Sequence, residues 1–318
     1  MAISTGKGYI AVGKQTSKAT AVTPNKFVKY DGADTIETTQ EIGKFREGGD
    51  VRDIGSSLKQ FQKYDGGFTF KARPDMSGFF VAAALGNATI AGSSSPWSHT
   101  VSGAETLPWL SVEKNINNQI IERLQDCKVN SFEISAEASQ PVKCNVNLMG
   151  ISASGRTQVL SDTYETDNPW IFYQGAFTID GVPDNKIQKF SLRINNNLQE
   201  VFTDDICRND ILEGNRDIEL DFTLVYNNQN KFNQIYYGGS AGVNPAEVVA
   251  SGSFDVTLSY GAGSGVRSMR FVINKLVYVN SPVHLDPDIK VLTQDFVGFA
   301  QGASPITFTI QNATDSAY

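Results

Sequence analysis

The sequence is poor in the residues that most chemistry requires, with 2 histidines and 3 cysteines among 318 residues. His99 sits in Ser95-Pro-Trp-Ser-His-Thr100 and His284 in Ser281-Pro-Val-His-Leu-Asp286. Both settings are turn-like and lack a second histidine at helical spacing, so both read as structural rather than as metal ligands or general bases. Cys127, Cys144 and Cys207 are odd in number and have no C-x-x-C spacing, which argues against a disulfide framework or a zinc cluster and fits a reducing compartment. Long apolar runs are also missing: Phe79–Leu85 is only seven residues, against roughly 20 for a bilayer span. The opening Met1-Ala-Ile-Ser-Thr-Gly-Lys-Gly-Tyr-Ile10 lacks the charged, apolar and small-residue regions of a signal peptide, so a cytoplasmic product is expected. Positive charge is in deficit. Lys plus Arg number 27 against 34 for Asp plus Glu, a net charge of -7, unlike a surface built to grip phosphate.

The remaining routes to catalysis are equally thin. No G-x-S-x-G elbow follows a strand and opens a helix, and the glycines of Gly261–Gly265 lack the lysine and following helix of a phosphate loop, so this segment reads as a hairpin tip. Asp204-Asp205 and Asp286 with Asp288 offer paired carboxylates, but the latter lacks the rest of an EF-hand pattern. Asp217, Glu219 and Asp221 alternate opposite Ile218, Leu220 and Phe222, the pattern of one solvated strand face. Trp97, Trp109 and Trp170 read as core or interface residues. No catalytic centre, cofactor or metal is expected.

What the chain does have is period-two alternation. Phe132/Ile134/Ala136, Val142/Cys144/Val146/Leu148, Phe190/Leu192/Ile194, Ile218 through Tyr226, Phe254 through Tyr260 and Ile306/Phe308/Ile310 each mark a strand with one wet face. Turn signals at Asp65-Gly66-Gly67, Asp180-Gly181-Val182-Pro183, Gly261–Gly265 and Asp286-Pro287-Asp288 separate them. The fold class is therefore mainly β, two antiparallel sandwich or barrel units. Two short one-faced helices are expected, over Pro74–Leu85 before Gly86 and over Asn230–Tyr237 before Gly238-Gly239.

A weak internal repeat organises these elements. Phe68-Thr-Phe70 and Phe222-Thr-Leu224 each precede a helix, Lys143–Gly150 resembles Lys290–Gly298, and Phe27–Tyr30 sits where Phe177–Asp180 does. This predicts domains at 1–160 and 161–318, with a polar junction near 155–165. The first half carries 17 basic and 15 acidic residues, the second 10 and 19. The polar stretch Glu37–Tyr64 is longer than ordinary loops, which marks function or a protruding hairpin, and its counterpart is Leu198–Arg216.

Several segments in order carry a likeness to a known family: Gly13–Thr20, Pro24–Val28, the Arg/Gly-rich stretch to Arg52, Gly67-Phe-Thr-Phe70, Gly78–Gly86, Gly175–Gly181, Phe190–Leu198 and Gly214–Ile218. The chain resembles the tail tube (major tail) proteins of long-tailed bacteriophages. The resemblance implies β-sandwich domains flanked by a helix, closed into rings that stack into a tube through which viral DNA leaves the capsid. Six single domains form the usual ring, so a duplicated chain implies a homotrimer with pseudo-sixfold symmetry, a virion location after assembly in the host cytoplasm, and other tail proteins at the tube ends. DNA passes without specific binding, which a net negative lumen favours. The expected inter-ring contacts are Glu41, Lys44, Arg46, Glu47, Asp50, Arg52 and Asp53, with Arg46 and Arg52 pairing to acids of the adjacent ring. Asp204, Asp205, Asp210 and Glu213 are the second loop's counterparts. Alternatives are an inner-tube protein of a contractile tail or related injection machine, and a carbohydrate-binding or hydrolytic sandwich.

Overall fold

The computed structural model of the chain describes residues 8–46, 53–226, 228–283, 292–315 and 318. The first half supplies β1 (Tyr9–Lys14), β2 (Lys26–Val28), β3 (Glu37–Phe45), β4 (Ser56–Lys71), α1 (Pro74–Leu85), β5 (Gly86–Ala91), β6 (Trp97–Gly103), β7 (Leu110–Ile116), β8 (Ile120–Glu137) and β9 (Lys143–Gly155). The second supplies β10 (Gly175–Ile179), β11 (Val182–Pro183), β12 (Ile187–Asn195), β13 (Gln199–Val201), β14 (Asp210–Leu212), β15 (Asp217–Val225), α2 (Asn230–Tyr237), β16 (Ser251–Tyr260), β17 (Arg267–Asn280), β18 (Thr293–Ala300) and β19 (Thr307–Asn312). The fold is mainly β, with two α-helices among the described residues.

Hydrogen bonding runs through the strands of the first half as β2–β1–β7–β8–β9–β4–β3. Through the second it runs as β11–β10–β16–β17–β18–β15–β12. All these pairs are antiparallel, and position for position the two paths follow the same succession. Even the irregularities coincide: β8 bulges between Val129 and Ser131 against β9, and β17 between Tyr278 and Asn280 against β18. The halves are then sewn together. β8 pairs with β12 from Ser131–Asn195 to Glu137–Lys189, and β19 lies between β17 and β6. One hydrophobic cluster, from Ile10 through Phe132 and Phe222 to Tyr318, runs continuously through both halves.

Residues 156–169, between the halves, form no strand, though Tyr164 makes an isolated bridge to Phe27. No helix among the described residues is long and apolar enough to cross a membrane.

Four expectations need correction. Helix α1 is not one-faced: all its residues except Asp75 are buried, because β8, β6 and β19 surround its Phe79-Phe80-Val81-Ala82 body. Asp65-Gly66-Gly67 is not a turn but lies inside β4. Gly66 has φ +134, and a Cβ there would overlap the Thr35 backbone, so glycine marks a close backbone approach within a continuing strand. The stretch Glu37–Tyr64 is not an irregular loop: the protruding hairpin that its length offered is what β3 and β4 form among the described residues. His99 occupies β6, where it is buried, rather than a turn. Asp180-Gly181 does turn as expected, with φ +52 and +75, joining β10 to β11. His284 and Asp286-Pro287-Asp288 lie outside the described residues.

Candidate assembly surface

Strands β4, β9, β8, β12, β15 and β18 form one uninterrupted sheet across both halves. Its inner face carries the cross-strand row Ala136, Phe190, Phe222 and Phe296, with the last two rings stacked at 4.6 Å. Alternation therefore sends the neighbouring residues outward. Glu133, Arg193 and Glu219 face one another in a row, with Arg193 at 4.0 Å and 3.7 Å from the two carboxylates. The next row is Ser135, Ser191, Asp221 and Val297, followed by Glu137, Lys189, Thr223 and Asp295. This outward face is polar and mixed in charge, and it dips into a hollow of about 640 Å³ at the β8–β12 seam. Asp217, Glu219 and Asp221 are exposed on it, the solvated face that their spacing indicated. Partial burial, with the Glu219 charge adding to it, raises the Asp221 carboxyl.

The β3–β4 hairpin runs on beyond this sheet. β4 meets β9 only from Tyr64 onward, so Ile42–Phe45 and Ser56–Lys59 pair with each other alone among the described residues. Apolar side chains stay in solvent there, with Ile42 49% and Leu58 65% exposed, and Phe45 and Ile54 join them. A lone two-stranded ribbon with exposed apolar residues is marginal in water and suits a partner. Glu41, Lys44 and Arg46 are exposed on this hairpin, and Asp53 lies exposed just before β4. None of these four forms an ion pair among the described residues. Glu47, Asp50 and Arg52 lie outside the described residues.

The second-half loop carrying β13 and β14 braces the base of this hairpin. Arg208 is fully buried and donates to Asp65 at 2.5 and 2.6 Å, to Glu200 at 2.5 Å and to the Gly150 carbonyl at 2.8 Å. Lys63 pairs with Glu200 at 2.8 Å and lies over the rings of Phe61 and Phe202, while Gln62 N–H donates to the Ile206 carbonyl. Among the residues expected from the sequence, Asp210 pairs with Lys18 at 3.0 Å and Glu213 with Lys128 at 2.7 Å. Against the cost of burial, the Leu107 N–H and the Lys128 ammonium hold Glu213 below the usual carboxylate range. Asp204 accepts from the Thr203 hydroxyl and Asp205 from Cys207 N–H, both within the loop. The four acids thus divide: Asp210 and Glu213 bind the first half, whereas Asp204 and Asp205 are exposed. Arg208 was not singled out in the sequence, because nothing local distinguishes a buried arginine from a solvated one.

A second clasp fixes α1. Glu165 accepts the backbone N–H groups of Asp75 (2.7 Å) and Met76 (3.0 Å), capping the helix N-terminus from the segment between the halves. Burial nevertheless raises its carboxyl to about 7, with Asp75 and Asp167 nearby adding to the shift. His99 stacks on Tyr318 and bonds through Nε2 to Asn312 and the Thr314 carbonyl; burial lowers its pKa. It is a packing residue.

Among the described residues no group of three or more His, Cys, Asp or Glu side chains is arranged to hold a metal ion. The arrangement offers surfaces and strand edges for association. Comparison with known proteins agrees: a family model described as phage tail tube protein matches residues 5–316, nearly the whole chain. No curated protein matches.

Proposed function

Since the chain belongs to the phage tail tube protein family, a structural component of the virion tail, we propose that it closes into rings of three subunits with pseudo-sixfold symmetry, which stack into the channel for DNA. The units 1–160 and 161–318 are tandem copies of one tube domain in this reading. Its main support is the shared strand succession of the two halves together with the sheet that crosses from one to the other at β8–β12. A three-subunit ring built this way presents six equivalent sheets.

The polar face carrying Glu133, Glu219 and Asp221 lines the channel. Its mixed, partly paired charges offer DNA no continuous basic track, so a polyanion slides without the counterion-release affinity of a cationic lining. The β3–β4 hairpin reaches the adjacent ring, burying Ile42, Phe45 and Leu58 and setting Lys44 and Arg46 against acids there. Glu47, Asp50 and Arg52 belong to the same contact, as do Asp204 and Asp205 on the second loop. Assembly takes place in the host cytoplasm, with other tail proteins closing the ends. Length and duplication favour this form over the inner tube of a contractile tail. Negative-stain microscopy of the purified chain tests the reading: rings or tubes are expected, and a monodisperse monomer under all conditions would refute it.

A further inference from the structure

The seam between the halves serves as a template for a second seam. Equivalent strands can be aligned residue by residue, because the bulges and cross-strand partners coincide. Val129 and Ser131 flank the bulge in β8 as Tyr278 and Asn280 flank the one in β17. Counting on from there sets Phe132, Glu133 and Ile134 against Ser281, Pro282 and Val283. On the other side, Asp65 pairs with Met149 and Glu37, as Glu219 pairs with Phe299 and Arg193. Ile36, Glu37, Thr38 and Thr39 thus correspond to Leu192, Arg193, Ile194 and Asn195.

Within the chain, Phe132 lies opposite Ile194 and Ser131 opposite Asn195. The corresponding edges remain open. Among the described residues β3 pairs only with β4, and β17 past Tyr278, whose N–H donates to the Ala250 carbonyl, pairs only with β18. Resting on the tube reading, we propose that neighbouring copies in a ring join by antiparallel pairing of Ile36–Thr39 in one copy with Asn280–Val283 in the next, in the register of the β8–β12 seam.

The directions of the backbone groups fit this pairing. Thr35 N–H donates to the Gly67 carbonyl, so Thr35 faces β4 and the alternate residues Ile36 and Thr38 face outward. The outward groups are guarded by side chains. Asp34 accepts the Ile36 N–H at 3.1 Å, Lys114 donates to the Ile36 carbonyl at 2.8 Å, and the Ser281 N–H donates to the Tyr236 hydroxyl at 2.9 Å. Such contacts satisfy an edge in the free chain and give way to a strand. Pro282 falls at the position of Glu133. In the intrachain seam Asn130, Gln188, Asn196 and Ala138 exchange the backbone bonds, so even-numbered residues of β8 face β12 and Glu133 faces β9. A proline at the equivalent position removes no bond to the neighbouring copy. The side chains also sort correctly. Ile36 is buried and Val283 half-buried at the positions of the buried Leu192 and Ile134, and Thr39 and Asn280 are exposed, as is expected of a continued polar face.

The test is a cross-link between copies. In a Cys207→Ser background, the pair Thr39→Cys with Asn280→Cys places two thiols directly opposite across the new seam, within disulfide reach. Thr38→Cys with Asn280→Cys is a one-residue slip within the regular part of β3, which points the thiols to opposite faces. After assembly and mild oxidation, the matched pair is expected to lose its monomer band on a denaturing gel in favour of a covalent species that ends at the trimer, while the slipped pair stays monomeric. Rings or tubes visible by microscopy without that cross-link, or with equal cross-linking in both variants, overturn the pairing and leave the tube reading standing. If the Cys207→Ser protein itself forms no ring or tube, the tube reading falls, and the pairing with it.

Discussion

Replacing Arg208 with methionine removes the cation that joins the two halves at the base of the hairpin. Breaking a buried ion pair by deleting one partner costs about 3–5 kcal/mol. The cost here is smaller, because the Asp65 side chain is 38% exposed and Lys63 stays 2.8 Å from Glu200. Discounting for that screening leaves about 2–3 kcal/mol, to which the orphaned Gly150 carbonyl contributes. For 318 residues the unfolding entropy is on the order of 0.7 kcal/mol/K, so the expected loss in Tm is about 3–5 °C. Scanning calorimetry of the unassembled chain reads that shift. Hydrogen exchange should quicken at Gln62, whose N–H is held by the Ile206 carbonyl of the braced loop. A double variant, Arg208→Met with Asp65→Asn, should recover much of the loss, since Asp65 then needs no cation and Glu200 keeps Lys63. A Tm within about 1 °C of the parent and unaltered exchange would show that Arg208 carries no such load.

Other outcomes follow from the same contacts. Glu165, raised to about 7 from an ordinary 4.5, binds more protons in the folded than in the unfolded chain between those values. Stability should therefore fall as pH rises from about 4.5 to 7 and level off above, by at most on the order of 3 kcal/mol. Glu165→Gln should flatten that part of a pH series of denaturant melts; an unchanged slope would assign it to other groups. Gly66→Ala forces a side chain into the Thr35 backbone at φ +134 and should cost roughly 2–4 kcal/mol in a urea titration, whereas the open, exposed Gly155→Ala should cost little. Reversing the hairpin charges with Lys44→Glu and Arg46→Glu should leave single rings but shorten or abolish tubes in electron micrographs. Normal tube lengths would remove those residues from the stacking contact.

Much of the β architecture is legible because its strands alternate. The stretches from Phe132, Phe190, Ile218 and Phe254 each have one buried and one wet face, and they form β8, β12, β15 and β16. Both helices are found over the expected residues, since Pro74 and Gly86 punctuate α1, while Gly238 ends α2 in a left-handed conformation. Where alternation fails, so does the reading. β1 is buried from Tyr9 to Gly13 on both faces, leaving no period to detect. The polar Glu37–Tyr64 stretch looks like a loop because its hairpin packs on so little of this chain. The seams were illegible for another reason: Arg208 with Asp65, and β8 with β12, are joined across long sequence separations that no local pattern reports.

A reconstruction of the assembled tube by electron cryo-microscopy bears most directly on the central claim. It should show three chains per ring, with a sheet continuous through every seam and Glu133, Glu219 and Asp221 facing the bore. A ring in which those carboxylates lie on the outer wall, or in which each chain ends its own sheet without meeting a neighbour's strand, would contradict the account.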